Sequence, residues 1–201
     1  AIILPEKDED AINIAALGLF IATVFSFALL LPALLFNEVI AALLGNQEIA
    51  IWLYFVPLVV FMMGLYNVLN FLNTRKKLYK DIAKANIYKS VGMASVQLGL
   101  GYTTSGALGL FSGQIIAQII SNYRLAINTK RNYDLMLIRK EVMVRVAKRY
   151  IKFPKYSMWA GFANASSFHI VSILISGIYS VKTLGFYFLT QRVLGVPASV
   201  I

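Results

Sequence analysis

Residues 11–36 read AINIAALGLFIATVFSFALLLPALLF, and this stretch decides the fold class. It contains no Asp, Glu, Lys or Arg, and about 20 mostly apolar residues suffice for a helix to cross about 30 Å of hydrocarbon. A second charge-free block, IAIWLYFVPLVVFMMGLYNVLNFLNT, fills 49–74. The run from Ser90 to Tyr123 is too long for one helix, and Gly99, Gly101, Thr103, Thr104, Ser105 and Gly106 make a turn-rich break in it. Spans are therefore expected over roughly 86–102 and 106–123, with Lys89 snorkelling at the end of the first. Residues 156–181 form a fifth span, and 184–201 begin a sixth. Barrel strands would alternate apolar and polar residues over segments of about ten, whereas these blocks are continuous. The expected class is all-α, a polytopic transmembrane helix bundle with about six spans.

Composition agrees. The chain is 59% apolar and 14% charged with mean hydropathy +0.70, where a soluble globule carries about 25% charged residues. Its net charge of +10 does not indicate nucleic acid, because a basic nucleic-acid binder is polar throughout and this chain segregates its charge between long neutral blocks. With no Cys and one His, disulfides, thiolate metal sites, Cys nucleophiles and multi-His zinc sites are excluded. No cofactor is expected. The chain opens at Ala1 without a signal-like basic and apolar leader and stops inside an apolar run at Ile201, so it reads as an internal piece of a longer polytopic protein.

Orientation follows from the connections, because Lys and Arg near span ends stay cytoplasmic. Residues 37–48 have no Lys or Arg, while 75–89 carry Arg75, Lys76, Lys77, Lys80, Lys84 and Lys89. The break at 99–106 has none, and 124–155 has ten. The segments 74–85 and 124–155 and the amino end are thus expected inside. Glu6, Asp8, Glu9 and Asp10 sit at a helix amino terminus, where the dipole favours anions, and read as capping groups.

The basic 124–155 segment has a helical period of its own: Leu135, Ile138, Val142, Val146, Tyr150 and Phe153 recur at steps of three and four. Arg139, Lys140, Arg145, Lys148, Arg149 and Lys152 fill in between them. Such a helix is expected along the membrane surface with its cations on anionic headgroups, until Pro154 ends it. The chain divides accordingly into 1–123, the basic connection 124–155, and 156–201.

Within the spans, Gly106, Gly109, Gly113 and Ala117 form a ridge that permits close helix packing. Asn67 and Asn70, Ser95 and Gln97, Gln114, Gln118 and Ser121, and Asn164, Ser166, Ser167 and His169 form polar groups. Lipid-facing surfaces do not carry such groups, so they either bond between helices or line a wet cavity. Two ionisable residues lie deep, His169 and, beside Gln191, Arg192. No Asp or Glu does. A lone guanidinium suits an anion, phosphate above all, which it grips with two parallel hydrogen bonds; the other reading of Arg192 is a structural partner for helices beyond these.

The opening AIILPEKDEDA (1–11), the LGNQE turn (44–48), GLYNVLN (64–70) followed by RKK (75–77), GALGLFSGQ (106–114), YIKFPKYS (150–157) and LGFYFLTQRVLGVP (184–197) are a set of motifs in register. They resemble the Wzx-type O-antigen and exopolysaccharide flippases of the multidrug/oligosaccharidyl-lipid/polysaccharide exporter superfamily, from end to end. The resemblance implies helices three to eight of a two-lobed transporter, with 1–123 in the first lobe, 124–155 joining the lobes and 156–201 opening the second. It implies a non-enzymatic protein of a bacterial or archaeal cytoplasmic (inner) membrane that flips an undecaprenyl-pyrophosphate-linked oligosaccharide, with membrane lipids, a polysaccharide polymerase and a chain-length regulator as partners. Arg192, Gln191, His169, Asn164, Asn67, Asn70, Gln97, Gln114 and Gln118 would line its cavity, the glutamines meeting sugar hydroxyls. Other readings are a multidrug or small-metabolite exporter of the same fold, separated by an intramembrane carboxylate in further helices, and a membrane glycosyltransferase or polymerase, which needs acids or His on the outer face.

Overall fold

The computed structural model describes residues 2–43, 50–103 and 108–198. Helices run over α1 Asp8–Leu35, α2 Asn37–Leu43, α3 Ala50–Leu53, α4 Val56–Arg75, α5 Tyr79–Thr103, α6 Leu108–Asn132, α7 Lys140–Tyr150, α8 Lys152–Ile178 and α9 Val181–Ala198, with a 3-10 turn at Leu135–Leu137. No strand occurs among the described residues. The LGNQE motif at 44–48, and Gly106 with the rest of 104–107, lie outside them.

Three described helices are long and apolar enough to cross a membrane: Asp8–Leu35, Val56–Arg75 and Lys155–Ile178. The other expected spans fall within α5, α6 and α9. Helices α5 and α6 are 25 residues each, and their charged ends, from Lys80 to Lys89 and from Arg124 to Arg131, lower their mean hydropathy. Outward-facing Phe20, Phe25, Phe27, Leu31 and Leu35 give α1 the exposed apolar flank a helix presents to lipid.

The chain forms two compact units, Ala1–Arg149 and Tyr150–Ile201. In the first, α1 packs on α4, α4 on α6, and α5 against α6 as an antiparallel pair. Small residues make these approaches possible. A Cβ on Gly64 would stand 2.6 Å from Ala22 Cβ, and one on Gly92 would stand 2.6 Å from Ile120 Cδ1. Of the expected small-residue ridge, Gly109 lies against Leu100 and Gly101, Gly113 lies under Gln97, and Ala117 is fully buried. Leu69, Ala85 and Leu125 form a buried apolar cluster joining α4, α5 and α6. The α4–α5 turn places Lys77 at φ 58°, where Lys77 N and Leu78 N donate to the carbonyls of Thr74 and Asn73 and close the helix.

Two expectations need correction. Pro154 does not end the amphipathic helix: α7 stops at Tyr150, and Pro154 sits in the first turn of α8. Proline is tolerated there because first-turn N–H groups have no intrahelical acceptor. The amphipathic helix is also shorter than the period from Leu135 to Phe153 suggests. Helix α6 continues past Tyr123 to Asn132, since a helix leaving the hydrocarbon keeps its internal hydrogen bonds, and only Lys140–Tyr150 forms the amphipathic helix.

The second unit is the α8–α9 helix pair. Ser180 caps α9, its Oγ accepting from Thr183 N at 3.1 Å.

Candidate functional site

A polar seam runs between α4 and α6. Gln118 Nε2 and Asn122 Nδ2 both donate to the Met62 carbonyl, at 3.3 and 3.0 Å. Because both amides turn their nitrogens to one acceptor, their oxygens point away, and neither oxygen has a partner. Ser121 Oγ beside them is buried and unpartnered as well. Eleven residues further along both helices, Asn73 Nδ2 donates to Leu69 O, Leu125 O and Thr129 Oγ1 at 2.8, 3.3 and 3.0 Å. In hydrocarbon such bonds tie helices together, since the alternative is an unsatisfied amide.

The seam leads into a charged knot at the amino end of α1 and the carboxyl end of α4. Arg75 donates to Asp8 Oδ1 at 3.1 Å, Lys76 Nζ meets Asp8 Oδ2 at 2.6 Å, and Arg75 also caps the carbonyls of Ile3, Pro5 and Glu6. Arg145 of α7 pairs with Asp10 at 3.2 Å. The amino-terminal acids therefore do more than face a helix dipole: Asp8 and Asp10 are ion-paired, and α1 has no side-chain cap. Asn13, fully buried, donates from Nδ2 to Leu137 O at 2.9 Å and accepts on Oδ1 from Arg139 N at 2.9 Å. Its amide thus pairs with an extended backbone as a neighbouring strand would. Tyr133 OH donates to Leu72 O at 3.1 Å, and burial pushes its phenol above the ordinary value.

Helix α7 turns Val142 and Val146 into the protein, both buried, rather than toward lipid. Arg139, Lys140, Arg145, Lys148, Arg149 and Lys152 are all exposed. Lys89 does not extend freely: its Nζ lies 4.7 Å from the centre of the Tyr66 ring, a cation–π contact.

The residues expected to line a cavity fall in different places. Gln118 is buried in the α4–α6 seam, Asn70 on α4 has its Oδ1 buried without a partner, and Asn67 is exposed on α4. Gln97 folds over Gly113. Gln114 and Gln118 line a water-sized cavity with Leu58, Val59, Met62, Met63 and Ile115. In the second unit Asn164 and His169 are exposed on α8. Gln191 on α9 is exposed too and donates to Tyr187 OH at 2.8 Å. Arg192 belongs to α9, and its side chain lies outside the described residues. Asn13, Asn73, Asn122 and Tyr133 were not expected as organising residues. A lone Asn in the block 11–36 was the available signal for Asn13, but its partners lie more than a hundred residues away.

Among the described residues no three His, Cys, Asp or Glu side chains group as metal ligands. What the arrangement offers chemically is hydrogen bonding and positive charge. A family model described as polysaccharide biosynthesis protein matches residues 2–201. No curated protein and no solved structure matches the chain.

Proposed function

The chain belongs to the polysaccharide biosynthesis protein family, and from that premise we propose that it is a Wzx-type flippase. In this reading it moves an undecaprenyl-pyrophosphate-linked oligosaccharide from the cytoplasmic to the outer leaflet of the cytoplasmic membrane. The family match over the whole chain, on a helical protein with apolar spans, is the observation that carries it. The sequence supports it in three further ways: the spans contain no deep carboxylate, basic segments alternate with neutral ones, and polar residues recur within the spans.

The physical problem is the passage of a hydrophilic glycan and a diphosphate through hydrocarbon while the polyprenyl tail stays in lipid. A hydrated cationic cavity that opens to each side in turn lowers that barrier. Translocation makes and breaks no bond, so the reading calls for no nucleophile and no acid–base pair. Arg192 and Gln191, with Asn164 and His169, would contribute to the cavity from the second unit, and Arg192 would supply the charge that offsets the diphosphate.

The test is surface polysaccharide in cells complemented with full-length variants, normalised to protein in the membrane. Arg192→Ala should abolish export at normal protein level, and Arg192→Lys, which keeps charge but loses the planar fork, should retain part of it. Full export by Arg192→Ala overturns the role given to this residue. Accumulation of polysaccharide precursors on neither face in a null strain overturns the flippase reading itself.

A further inference from the structure

Tyr66 stands midway along α4, about 14 Å from Arg75 at a rise of about 1.5 Å per residue. The packing of α1 on α4 gives the same depth: Gly18 meets Val68 and Gly64 meets Ala22, so Tyr66 is level with Phe20, deep in the charge-free block 11–36. Two side chains of α5 gather on this ring. The Tyr66 hydroxyl donates to Asn86 Oδ1 at 2.7 Å, and Lys89 Nζ lies 4.7 Å from the ring centre. Lys89 is at the end of the span expected over 86–102, yet α5 begins at Tyr79, and the ammonium is held at the middle of α4. In a hydrocarbon layer about 30 Å thick, that is roughly half way across.

An ammonium at such depth is costly unless protein or water serves it. Among the described residues no carboxylate pairs with it, and Asp81 is the single Asp or Glu in the sequences of α4, α5 and α6. Asp81 lies about 12 Å back along α5. Arg124, whose guanidinium carbon is 5.2 Å from the centre of the Tyr88 ring, brings a second cation to the same stretch of α5. The local balance of charge is therefore positive.

The cluster lies open at its edge. Asn67, Asn86 and Ser90 are exposed. Asn86 and Ser90 stand about 120–160° around α5 from Gly92 and Tyr88, which meet α6, and Lys89 lies between the two sides. At the same level α1 exposes Phe20, Ile21 and Val24. One flank of the unit is thus apolar at mid-span while the α4–α5 side carries amides, a hydroxyl and an ammonium, groups that do not face lipid.

We propose that the α4–α5 side walls a water-filled cavity, in which Lys89 and Asn86 bind a phosphate oxyanion of the transported substrate. Lys89 supplies the charge. Asn86, whose oxygen is taken by the Tyr66 hydroxyl, donates from Nδ2, and Tyr66 is the positioning residue for both. An oxyanion is the fitting occupant because the cluster offers a cation and an amide donor with no carboxylate beside them, and a bilayer headgroup does not reach this depth. Assigning that anion to the diphosphate of a lipid-linked glycan rests on the flippase reading.

The test is labelling of Ser90→Cys by a small water-soluble methanethiosulfonate in the detergent-solubilised full-length protein, freed of any other cysteine. Ser90→Cys should react, and Phe20→Cys, level with the cluster on the α1 flank, should not. Inorganic pyrophosphate should slow the reaction at Ser90→Cys. Adding Lys89→Gln should raise the pyrophosphate concentration that halves the rate about tenfold, as for one charge-assisted hydrogen bond, with Lys89→Arg close to native and Tyr66→Phe intermediate. Lys140→Gln, which removes an exposed cation of α7, should leave it unchanged. No reaction at Ser90→Cys, or equal reaction at Phe20→Cys, overturns the cavity with Lys89 untouched. Absent protection, or protection weakened equally by Lys89→Gln and Lys140→Gln, overturns the anion site. Failure of the flippase reading shows in export and leaves these rates as they are, whereas failure here shows in the rates with export intact.

Discussion

Gly113 and Gln97 face each other across the α5–α6 pair so closely that a Cβ on the glycine would stand 2.5 Å from Gln97 Cγ and 3.2 Å from the Met93 carbonyl. Backbone lies on one side of that gap, so it cannot widen by a rotamer change alone. The close approach in turn brings the α6 seam residues to their partners on α4, because α6 packs against both helices.

Gly113→Val should therefore separate α5 from α6 and destabilise the protein by about 1–3 kcal/mol or more, the usual cost of overpacking. Gly99→Val is the control, since nothing lies within 4 Å of a Cβ there. Thermal unfolding in detergent should fall sharply for the first and little for the second; equal losses would refute the close-packing account.

Asn13→Leu fills a similar volume and leaves the Leu137 carbonyl and the Arg139 N–H without their partner. A loss of about 1–3 kcal/mol is expected from the two stranded backbone groups, with faster proteolysis between Asp134 and Arg139. Unchanged cleavage in that stretch would show that another contact holds it.

Tyr133 should titrate above the ordinary phenol value of about 10, because burial disfavours its phenolate. The neutral phenol is the form the fold holds, so its contribution is full below the ordinary value and is lost as pH rises through the higher folded value. The difference in phenolate absorbance between the native protein and Tyr133→Phe measures this. A transition at or below the free phenol value would contradict the buried placement.

Single cysteines at Gln47 and Lys77 should react with an impermeant thiol reagent from opposite sides of the membrane, as the alternation of charge predicts. Labelling of both from outside would overturn the orientation.

The helices were legible because charge-free blocks of membrane length have few other folds open to them. Of the Gly/Thr break expected before α6, Gly99, Gly101 and Thr103 lie within α5 and the rest lies outside the described residues, whereas the ridge at Gly109, Gly113 and Ala117 was legible from its spacing. The end of α6 was not: Arg124 read as the start of a loop, yet backbone hydrogen bonding carries the helix on to Asn132. Pro154 misled because the same residue stops a helix from within and opens one in its first turn. Periodicity correctly identified α7 as amphipathic, but a moment carries no information on whether protein or lipid covers the apolar stripe, and Val142 and Val146 went to protein. For Gln118 the choice between helix contact and cavity depended on a facing helix that no local pattern specifies.

The tie between Asn13 and the backbone at 137–139 spans 124 and 126 residues of chain. A ribosome delivers residues in order, so α1 is synthesised and α4, α5 and α6 follow before the acceptor and donor for that amide exist. Through that interval Asn13 must be served by water at the membrane edge or by a passing helper, and the amino end of α1 is finished only after the helices that follow it are made. The first unit is therefore sealed only when the 135–139 stretch arrives, which makes that stretch a checkpoint on assembly: a chain cut short before Arg139 keeps α1, α4, α5 and α6 yet leaves α1 with an open polar socket.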